Sequence, residues 1–451
     1  MDDGLRGYLE QLKRENPEEL LVVDRECPAD YTLTSLVGLL EEQNRYPVVM
    51  QQKVAGYDLP MVANLFGDRS RVAAMLGTTP ERFAMKWQEC TGGLKPPRTV
   101  RRAAVQEMVD TEAVRGLGEL PVSRHFRQDA GPYIASGIVV ARDPDTGVHN
   151  LSFHRMQFKG QDRFGISLHS RGHLWDYYAR AEKRGEPLPI AVIIGCHPLI
   201  YLAAGSKMAM DQDEYALAGA LMGAPVDLVR CVTRDVLVPA WGEIVLEGEI
   251  LPEVREDEGP FGEYTGYATD RSTRNVMRIT AVTRRRDAVY MDLIPGYSSE
   301  HLLLGRMAKE AEVVSRMKEK FPGIRAINFP RSGTHFHAYM SMKKTAEGQP
   351  RQALMLLLGL DMYLKWVVAV DDDIDVFNEE EILWALATRM QPDTRQFIIP
   401  AVMCNLLDPS SRDGMSAKMA TDATKPLDWS MVRCTRDPQA DDLAREILRQ
   451  I

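Results

Sequence analysis

Residues 137–158 read GIVVARDPDTGVHNLSFHRMQF, in which a DPDTG turn separates two strand-like runs. The runs are rich in β-branched and aromatic residues, which favour extended backbone, and Asp, Pro and Gly favour a tight turn. The stretch therefore predicts a β-hairpin.

More short strands follow the hairpin as far as residue 294, and helical periodicity occurs there only near 173–184 and 212–222. So many strands within one region favour a barrel or a sheet of an α+β fold. We predict a central domain over 118–297, with strands at RFGISLH (163–169), LPIAVIIG (188–195), DLVRCVT (227–233), DVLVPAW (235–241), EIVLEGEI (243–250), NVMRITAVTRRR (275–286) and AVYMDLI (288–294).

The flanking regions alternate between helical and strand patterns. Before the central domain, helices are expected near 5–12 and 31–43 and strands near 20–24 and 46–51, which predicts an N-terminal α/β unit over 1–117. After it, helices at 302–321, 352–364 and 378–390 alternate with strands, which predicts a C-terminal α/β domain over 298–405. Residues 406–451 are expected to be irregular and to end in a short helix that docks on a partner subunit.

Composition narrows the class of protein. The chain has 451 residues and a net charge of −9, which disfavours a role that depends on binding nucleic-acid phosphates. Its 6 cysteines include no CxxC pair, as is typical of a reducing compartment. The acidic N-terminus is unlike a signal peptide, and the apolar stretch 188–205 is expected to be a buried strand followed by a loop. These features predict a cytoplasmic globular protein.

The segment EDEGPFGEYTGY (256–267) places Glu258 and Glu263 on either side of a Gly-Pro-Phe-Gly turn. A stiff turn of this kind can hold two acids close together, where mutual repulsion raises the pKa of one of them into the range of a general acid. The alternative is an acidic turn on the surface.

Polar residues interrupt the strand pattern in HNLSFHRMQF (149–158), where Asn150, His154 and Arg155 lie close together. An arginine can hold a carboxylate through two parallel hydrogen bonds. Asn150 and Arg155 are an odd number of residues apart, so a regular strand would direct them to opposite faces. If both serve one site, the strand must bulge or end between them.

Three further residues suggest a ligand site. His173 and Glu214 each stand near a predicted helix start, and with Asn150 they would offer nitrogen and oxygen ligands to Mn²⁺ or Mg²⁺. Lys418, among small residues in MSAKMATDATKP (415–426), could approach a phosphate. Taken singly, these residues could equally be helix caps or buried polar groups of the core.

In chain order these segments resemble the UbiD-type decarboxylases, which use a prenylated flavin mononucleotide (prenylated FMN) made by a separate flavin prenyltransferase. The resemblance covers residues 1–435, and it rests on EGPFGEYTGY (258–267), DEYALAGAL (213–221), VLVPAWGEIVLEGEI (236–250) and SAKMATDATK (416–425). It implies a split-barrel flavin-binding domain between α/β units, and dimers or dimer-based hexamers.

The resemblance also implies roles for individual residues. Arg155, Glu258 and Glu263 match the family's catalytic set, and Asn150, His173 and Glu214 match ligands of Mn²⁺ (or Mg²⁺) that ties the cofactor phosphate to the protein, with K⁺ alongside. Lys418 matches the lysine that reaches this phosphate, and Ser152, Phe153 and His154 lie along the cofactor. In the implied mechanism the flavin forms a covalent adduct with the substrate, and Glu263 protonates the carbon that has lost CO₂.

The substrate is expected to be a heteroaromatic acid such as a furan, pyrrole or indole carboxylate, with furan-2,5-dicarboxylate as the best candidate. Basic residues near the expected pocket, His301, Arg306 and Arg331, could bind a second carboxylate, although the two arginines could also be surface groups. Two alternatives stay open, a phenolic-acid (4-hydroxybenzoate-type) decarboxylase of the same family and a non-catalytic flavin-binding protein.

Overall fold

The computed structural model describes residues 4–168 and 172–449 and shows a mixed α+β fold. His169, the last residue of the predicted strand 163–169, lies outside the described residues, as do the last two residues of the expected C-terminal helix. Within the described ranges, no helix is both long and apolar enough to cross a membrane.

The N-terminal region combines helices with a small sheet. Its first two strands run parallel, as expected for an α/β unit, and the sheet is completed by a strand from near residue 290. The elements are α1 (Leu5–Glu15), β1 (Leu20–Val23), α2 (Thr32–Glu42), β2 (Val48–Gln51), β3 (Met61–Ala63), α3 (Arg69–Met75) and α4 (Phe83–Thr91).

The central region is dominated by a 9-stranded sheet. The predicted hairpin is confirmed, because the strands on either side of the DPDTG turn pair antiparallel, with Val140 opposite Leu151. The elements are β4 (Arg98–Thr99), β5 (Met108–Asp110), α5 (Ala113–Gly118), β6 (Tyr133–Ile134), β7 (Ile138–Arg142), β8 (His149–Phe153), β9 (Met156–Gly160), β10 (Arg163–Ile166), α6 (His173–Lys183), β11 (Leu188–Ile194), α7 (Pro198–Ala204), α8 (Glu214–Met222), β12 (Asp227–Arg230), β13 (Leu237–Pro239), β14 (Ile244–Arg255), β15 (Phe261–Gly262), β16 (Ala268–Thr269), β17 (Asn275–Arg284) and β18 (Tyr290–Met291).

The C-terminal region is built on a 5-stranded sheet with a core of its own. Its longest helix begins at Ser299, where the Ser298 hydroxyl accepts a hydrogen bond from the His301 amide and caps the helix. The elements are α9 (Ser299–Lys320), β19 (Ile324–Asn328), β20 (His337–Met342), α10 (Gln349–Leu360), β21 (Trp366–Asp371), α11 (Glu379–Arg389), α12 (Pro392–Arg395), β22 (Gln396–Met403), β23 (Met415–Ala423) and α13 (Pro438–Leu448).

Two local expectations are wrong. The stretch after β11 is not a loop, because Pro198 begins the buried helix α7. The segment after residue 405 is not irregular throughout, since β23 lies between β21 and β22.

Candidate active site

Arg155 lies in a break between two strands. β8 ends at Phe153 and β9 begins at Met156, so the backbone at Arg155 is not held in the ladder. Asn150 and Arg155 can serve one site only if the strand bulges or ends between them. The break between β8 and β9 meets this condition.

The Arg155 guanidinium binds both carboxylates of the glycine-rich loop. Its Nε and Nη2 donate to Glu258 Oε1 and Oε2, each at 3.0 Å, and its Nη1 donates to Glu263 Oε1 at 2.6 Å. All three residues are buried. Burial acts to lower the pKa of Arg155, but the carboxylates outweigh it and hold this pKa above its usual value.

This geometry changes the explanation that the sequence suggested for the acidic pair. The turn is not a solvated surface feature, because Glu258 and Glu263 are 3% and 7% exposed. The two acids are also not organised by mutual repulsion, since each is paired with the same guanidinium. The set is therefore a buried Glu–Arg–Glu cluster.

Close packing of glycines lets the loop approach the strands. Gly259 has a φ of +99°, and a side chain there would press on the Asp270 backbone. A Cβ on Gly165 of β10 would stand 3.0 Å from Glu258 Cγ. Asp129 fixes the far side of the loop by accepting from the Gly262 amide at 2.9 Å. The backbone thus leaves little freedom for the Glu258 side chain.

Asn150 and Glu214 form a second buried polar group. Asn150 Nδ2 donates to Glu214 Oε1 at 3.1 Å, and the Leu151 amide donates to Glu214 Oε2 at 3.1 Å. Burial raises the pKa of Glu214 to about 7. Among the described residues, no basic side chain forms an ion pair with Glu214, so a buried carboxylate here has an amide group and a backbone N–H as its partners.

His173 begins α6, which packs against the strand β8 that carries Asn150. Burial lowers the pKa of His173, which favours the neutral imidazole that a metal ion requires. Within residues 4–168 and 172–449, no hydrogen bond joins His173 to Asn150 or Glu214. The donor set of amide oxygen, carboxylate and imidazole nonetheless fits a hard or borderline divalent cation, which would compensate the charge of buried Glu214.

The residues after Asn150 connect it with the Glu–Arg–Glu cluster. The Ser152 hydroxyl lies 3.3 Å from Asn150 Oδ1 and 3.1 Å from His154 Nε2. His154 Nδ1 faces the Ser167 carbonyl at 2.9 Å, so Nδ1 carries the proton and Nε2 is left as an acceptor. Phe153 stacks on Tyr201 with ring centroids 5.9 Å apart. This strip of β8 thus presents polar and aromatic groups between Glu214 and Arg155.

Lys418 lies on β23 of the C-terminal sheet, and its ammonium donates to the carbonyls of Asp361, Met362 and Leu364 at 3.3, 3.2 and 2.7 Å. Burial lowers its pKa. In the part of the chain that the structure describes, no hydrogen bond links Lys418 to Asn150, His173 or Glu214. The structure therefore does not bring this lysine together with the other predicted ligands of the phosphate.

An aromatic and basic cluster, of which the sequence analysis predicted His301, lies next to Glu263. The Tyr264 ring packs against those of His301, His335 and Tyr363 at centroid distances of 6.2, 4.7 and 6.3 Å. Lys309 Nζ lies 4.1 Å from the Tyr363 centroid. Tyr264 follows Glu263 directly in the glycine-rich loop, which is the signal that could have identified it. The rest of the cluster is distant in sequence.

Two cavities open beside this cluster. One of about 440 Å³ is lined by Glu263, Glu41 and Tyr297 among others, and its walls are largely apolar. The other, of about 200 Å³, is lined by Tyr264, His335, Tyr363, Lys309 and Lys207. Burial and the neighbouring cations keep the pKa of His335 well below its usual value, so its imidazole is neutral.

Among the described residues, the two arginines predicted to meet the substrate do not line these two cavities, although Arg331 donates to Glu41 and to the Tyr297 carbonyl on the wall of the first. Arg306 is buried and Arg331 is partly buried, so the alternative that both are surface groups is wrong. Both line a third cavity, of about 310 Å³, together with Arg69 and Asn328. His301 is the predicted substrate residue that the structure brings next to Tyr264.

Comparison with known proteins gives a consistent result. Family models described as the N-terminal, Rift-related and C-terminal domains of 3-octaprenyl-4-hydroxybenzoate carboxy-lyase (UbiD) match residues 10–91, 98–298 and 302–423. The chain is similar to anhydromevalonate phosphate decarboxylase of Methanothermobacter thermautotrophicus, with 35% identity over 94% of this chain and 97% of the relative.

Solved structures agree with the family models. The UbiD-class enzyme HmfF from Pelotomaculum thermopropionicum, in complex with FMN, is 40% identical with a TM-score of 0.93 over 98% of this chain and 99% of that one. Vanillic acid decarboxylase from Sedimentibacter hydroxybenzoicus is 29% identical with a TM-score of 0.88, over 99% of each chain. An evolved dimeric form of HmfF was solved with prenylated FMN.

The three family models together match most of the chain, and the relatives cover nearly its full length. The chain therefore belongs to the UbiD family of flavin-dependent decarboxylases.

Proposed function

We propose that this decarboxylase removes CO₂, reversibly, from an sp² carbon of a small acid that carries a second anionic group. The observation that carries the proposal is the Arg155 guanidinium held between two buried carboxylates, with Glu263 also lining a cavity. This arrangement combines a cation for the departing carboxylate with an acid for proton transfer.

The three residues of the cluster would have different roles. Glu258 accepts two parallel hydrogen bonds from Arg155 and would hold the guanidinium in place. Arg155 would orient the substrate carboxylate. Glu263 makes a single contact with Arg155 and lines the cavity, so it would give a proton to the carbon after CO₂ leaves and take it back in the carboxylation direction.

We propose prenylated FMN as the cofactor, with a divalent cation, Mn²⁺ or Mg²⁺, and K⁺ at its phosphate. The bound flavin would supply the electron sink that no side chain offers. Asn150, His173 and Glu214 would hold the divalent cation, Ser152, Phe153, His154 and Arg155 would lie along the flavin, and Lys418 would approach its phosphate. The buried carboxylate of Glu214, which has no ion-pair partner among the described residues, supports the cation site. Lys418 would have to exchange its carbonyl contacts for the phosphate.

The cavity beside Tyr264 favours a substrate with a second anionic group. Lys309 and Lys207 provide positive charge there against one carboxylate, that of Glu312, and neutral His335 and Tyr363 provide hydrogen-bonding groups. Burial lowers the pKa of Lys309, and Asp361 at 2.6 Å works against this shift. In furan-2,5-dicarboxylate, the second carboxylate would be the anionic group that binds there. His301 would contact the substrate next to Tyr264, and the hypothesis that Arg306 and Arg331 also do so stays a prediction.

A second candidate substrate is an unsaturated acid with a phosphate in place of the second carboxylate. The relative from Methanothermobacter thermautotrophicus is called anhydromevalonate phosphate decarboxylase, and the cluster of lysines and histidine would accept either anion. Phenolic acids are a third possibility, supported by the vanillic acid decarboxylase at 29% identity.

A panel of acids would distinguish these substrates. Protein produced together with a flavin prenyltransferase would be incubated with furan-2,5-dicarboxylate, furan-2-carboxylate, anhydromevalonate phosphate, 4-hydroxybenzoate and cinnamate, and mass spectrometry would follow loss of CO₂. We expect turnover of an acid with two anionic groups, and Lys309→Met to raise its KM by about tenfold or more. Faster turnover of furan-2-carboxylate than of the dicarboxylate would contradict the assignment of a second anion site.

The assembly and the domain limits remain part of the proposal. We propose domains over 1–117, 118–297 and 298–405, with residues 406–451 contacting a partner subunit in a homodimer or dimer-based hexamer. The exposed apolar side of α13 supports that contact.

A further inference from the structure

The cavity of about 310 Å³ that Arg306 lines lies on a different face of α9 from the Tyr264 cluster. Ser299, Leu302, Leu303 and Arg306 line it, whereas Gly305 and Lys309 line the cavity beside Tyr264. Residues three, four and seven apart share a helix face, so the body of α9 separates the two cavities. The segments 67–69 and 328–331, together with Tyr46, Phe377 and Glu379, form the remaining walls.

Arg306 has a buried guanidinium that forms no ion pair with any residue that the structure describes. It is 2% exposed, and its Nη1 donates to the neutral carbonyl of Phe329. Among the described residues, neither Nε nor Nη2 has a hydrogen-bond partner. A buried cation left in this state is strongly unfavourable unless an anion approaches it.

The neighbouring arginines add positive charge and have carboxylates of their own. Arg69 pairs with Glu310 at 2.8 Å, and Arg331 pairs with Glu41 at 2.6 Å. Burial, together with the charges of Arg69 and Arg331, lowers the pKa of Arg306 to about 9, and the Glu310 carboxylate acts against this shift. The local field at Arg306 therefore favours a negative ligand.

The acidic groups on the cavity wall are engaged elsewhere. Asp68 caps α3 by accepting from the Arg71 amide at 2.7 Å. Glu379 accepts from the hydroxyls of Tyr339, at 3.1 Å, and Ser332. Neither carboxylate is paired with Arg306 in the described part of the chain.

We infer that this cavity binds a phosphate group, free or as the monoester of a small molecule, through Arg306. The Nε and Nη2 atoms form one edge of the guanidinium and can donate two parallel hydrogen bonds to two phosphate oxygens. Arg69 and Arg331 flank the ligand, and the volume admits a small phosphorylated molecule. The inference concerns binding and does not depend on which acid the enzyme decarboxylates.

Calorimetric titration of the flavin-loaded protein tests the inference. Loading with flavin occupies the cofactor's own phosphate site, so that added phosphate reports on other sites. Inorganic phosphate and glycerol phosphate would be titrated separately at constant ionic strength. We expect saturable binding to the wild type and about tenfold or more weaker binding to Arg306→Met. Arg306→Lys keeps the charge but loses the two parallel hydrogen bonds, so its affinity for phosphate should lie between those of the wild type and Arg306→Met.

Arg14→Met is the matched control, because it removes the same charge from an exposed helix position. It should bind phosphate as the wild type does. Tighter binding of glycerol phosphate than of inorganic phosphate would identify an ester as the ligand, and the reverse order would identify free phosphate. Competition with the acid substrate would show that the phosphate belongs to the substrate. Equal affinity of the wild type and Arg306→Met, or no saturable binding to the wild type, would overturn the inference.

Discussion

Arg155 keeps its charge in a buried position because two carboxylates face it at 2.6 to 3.0 Å. Removal of Arg155 would leave two buried carboxylates without a counter-charge, and breaking a buried ion pair in this way costs about 3–5 kcal/mol. Glu258 accepts two hydrogen bonds from Arg155, whereas Glu263 accepts one. Because of this difference, we assign to Glu258 the role of holding the Arg155 guanidinium in place and to Glu263 the role of proton transfer.

A second buried pair, His125 and Asp292, makes stability depend on pH. Burial acts to lower the pKa of His125, but the Asp292 carboxylate, 3.0 Å from Nε2, outweighs it and the pKa is raised. Because the folded-state pKa lies above the unfolded value, this pair stabilises the protein fully at pH below about 6.5. Its contribution is lost as the pH rises through the folded-state pKa.

We therefore expect the wild type to lose part of its unfolding free energy as the pH is raised from the acidic side through neutrality. Asp292→Asn should remove this component and destabilise the protein by about 3 kcal/mol at the acidic end. Denaturant unfolding of both proteins over a pH series measures the difference. Parallel pH profiles for the two proteins would show that the pair is not the source.

Among the structural elements, strand β10 approaches the glycine-rich loop closely and limits the position of Glu258 in the Glu–Arg–Glu cluster. A Cβ at Gly165 would stand 3.0 Å from Glu258 Cγ and 3.1 Å from Lys159 Cε. Gly165→Ala should push Glu258 away from Arg155 and reduce kcat by about tenfold or more, because small displacements of positioning groups have large effects on rate. Turnover per bound flavin is the measurement.

Gly359→Ala is the control for this substitution. Gly359 lies in α10 and a Cβ there meets no atom within 4 Å, so alanine should stabilise the helix by about 0.5–1 kcal/mol and leave turnover unchanged. Wild-type kcat in Gly165→Ala would mean that the loop has room to adjust.

Sequence patterns predicted most elements because their periodicity is local. The 137–158 hairpin and the helix that became α9 follow from residues within one element. The predictions for α7 and β23 failed for a different reason. α7 is apolar on all sides and so has no amphipathic pattern, and β23 alternates small and polar residues in a sheet that its own sequence does not reveal.

In the whole molecule, the exposed apolar side of α13 is the surface for which we propose a contact with a partner subunit. Leu443, Ile447 and Leu448 are 59%, 50% and 71% exposed on this helix. If α13 docks on a partner subunit, Leu443→Glu combined with Ile447→Glu should weaken the dimer. Light scattering after size-exclusion chromatography should then show a smaller mass at a given concentration.

Arg445→Glu, on the opposite side of α13, changes the net charge by the same amount and should leave the mass unchanged. An unchanged mass for the Leu443→Glu and Ile447→Glu protein would place the subunit contact elsewhere.

Part of the candidate site could be predicted from the sequence, and part of it could not. The Glu258, Glu263 and Arg155 motifs were identified because each lies in a compact segment with distinctive chemistry. The cluster of Tyr264, Lys309 and Tyr363 was missed because it forms only when the C-terminal domain meets the central sheet. The structure was also needed to show that Arg306 and His301 lie in different surroundings. Arg306 lines the third cavity, whereas the His301 ring packs against Tyr264.

We propose that the buried Glu–Arg–Glu cluster performs the decarboxylation, with Glu263 as the proton donor. The most direct test compares CO₂ release per bound flavin by the wild type and Glu263→Gln, using the acid from the panel that reacts fastest. Glutamine keeps the size and a hydrogen-bonding oxygen but cannot transfer the proton. We predict at least about a hundredfold loss of turnover with unchanged flavin content. Wild-type turnover in Glu263→Gln would contradict the account.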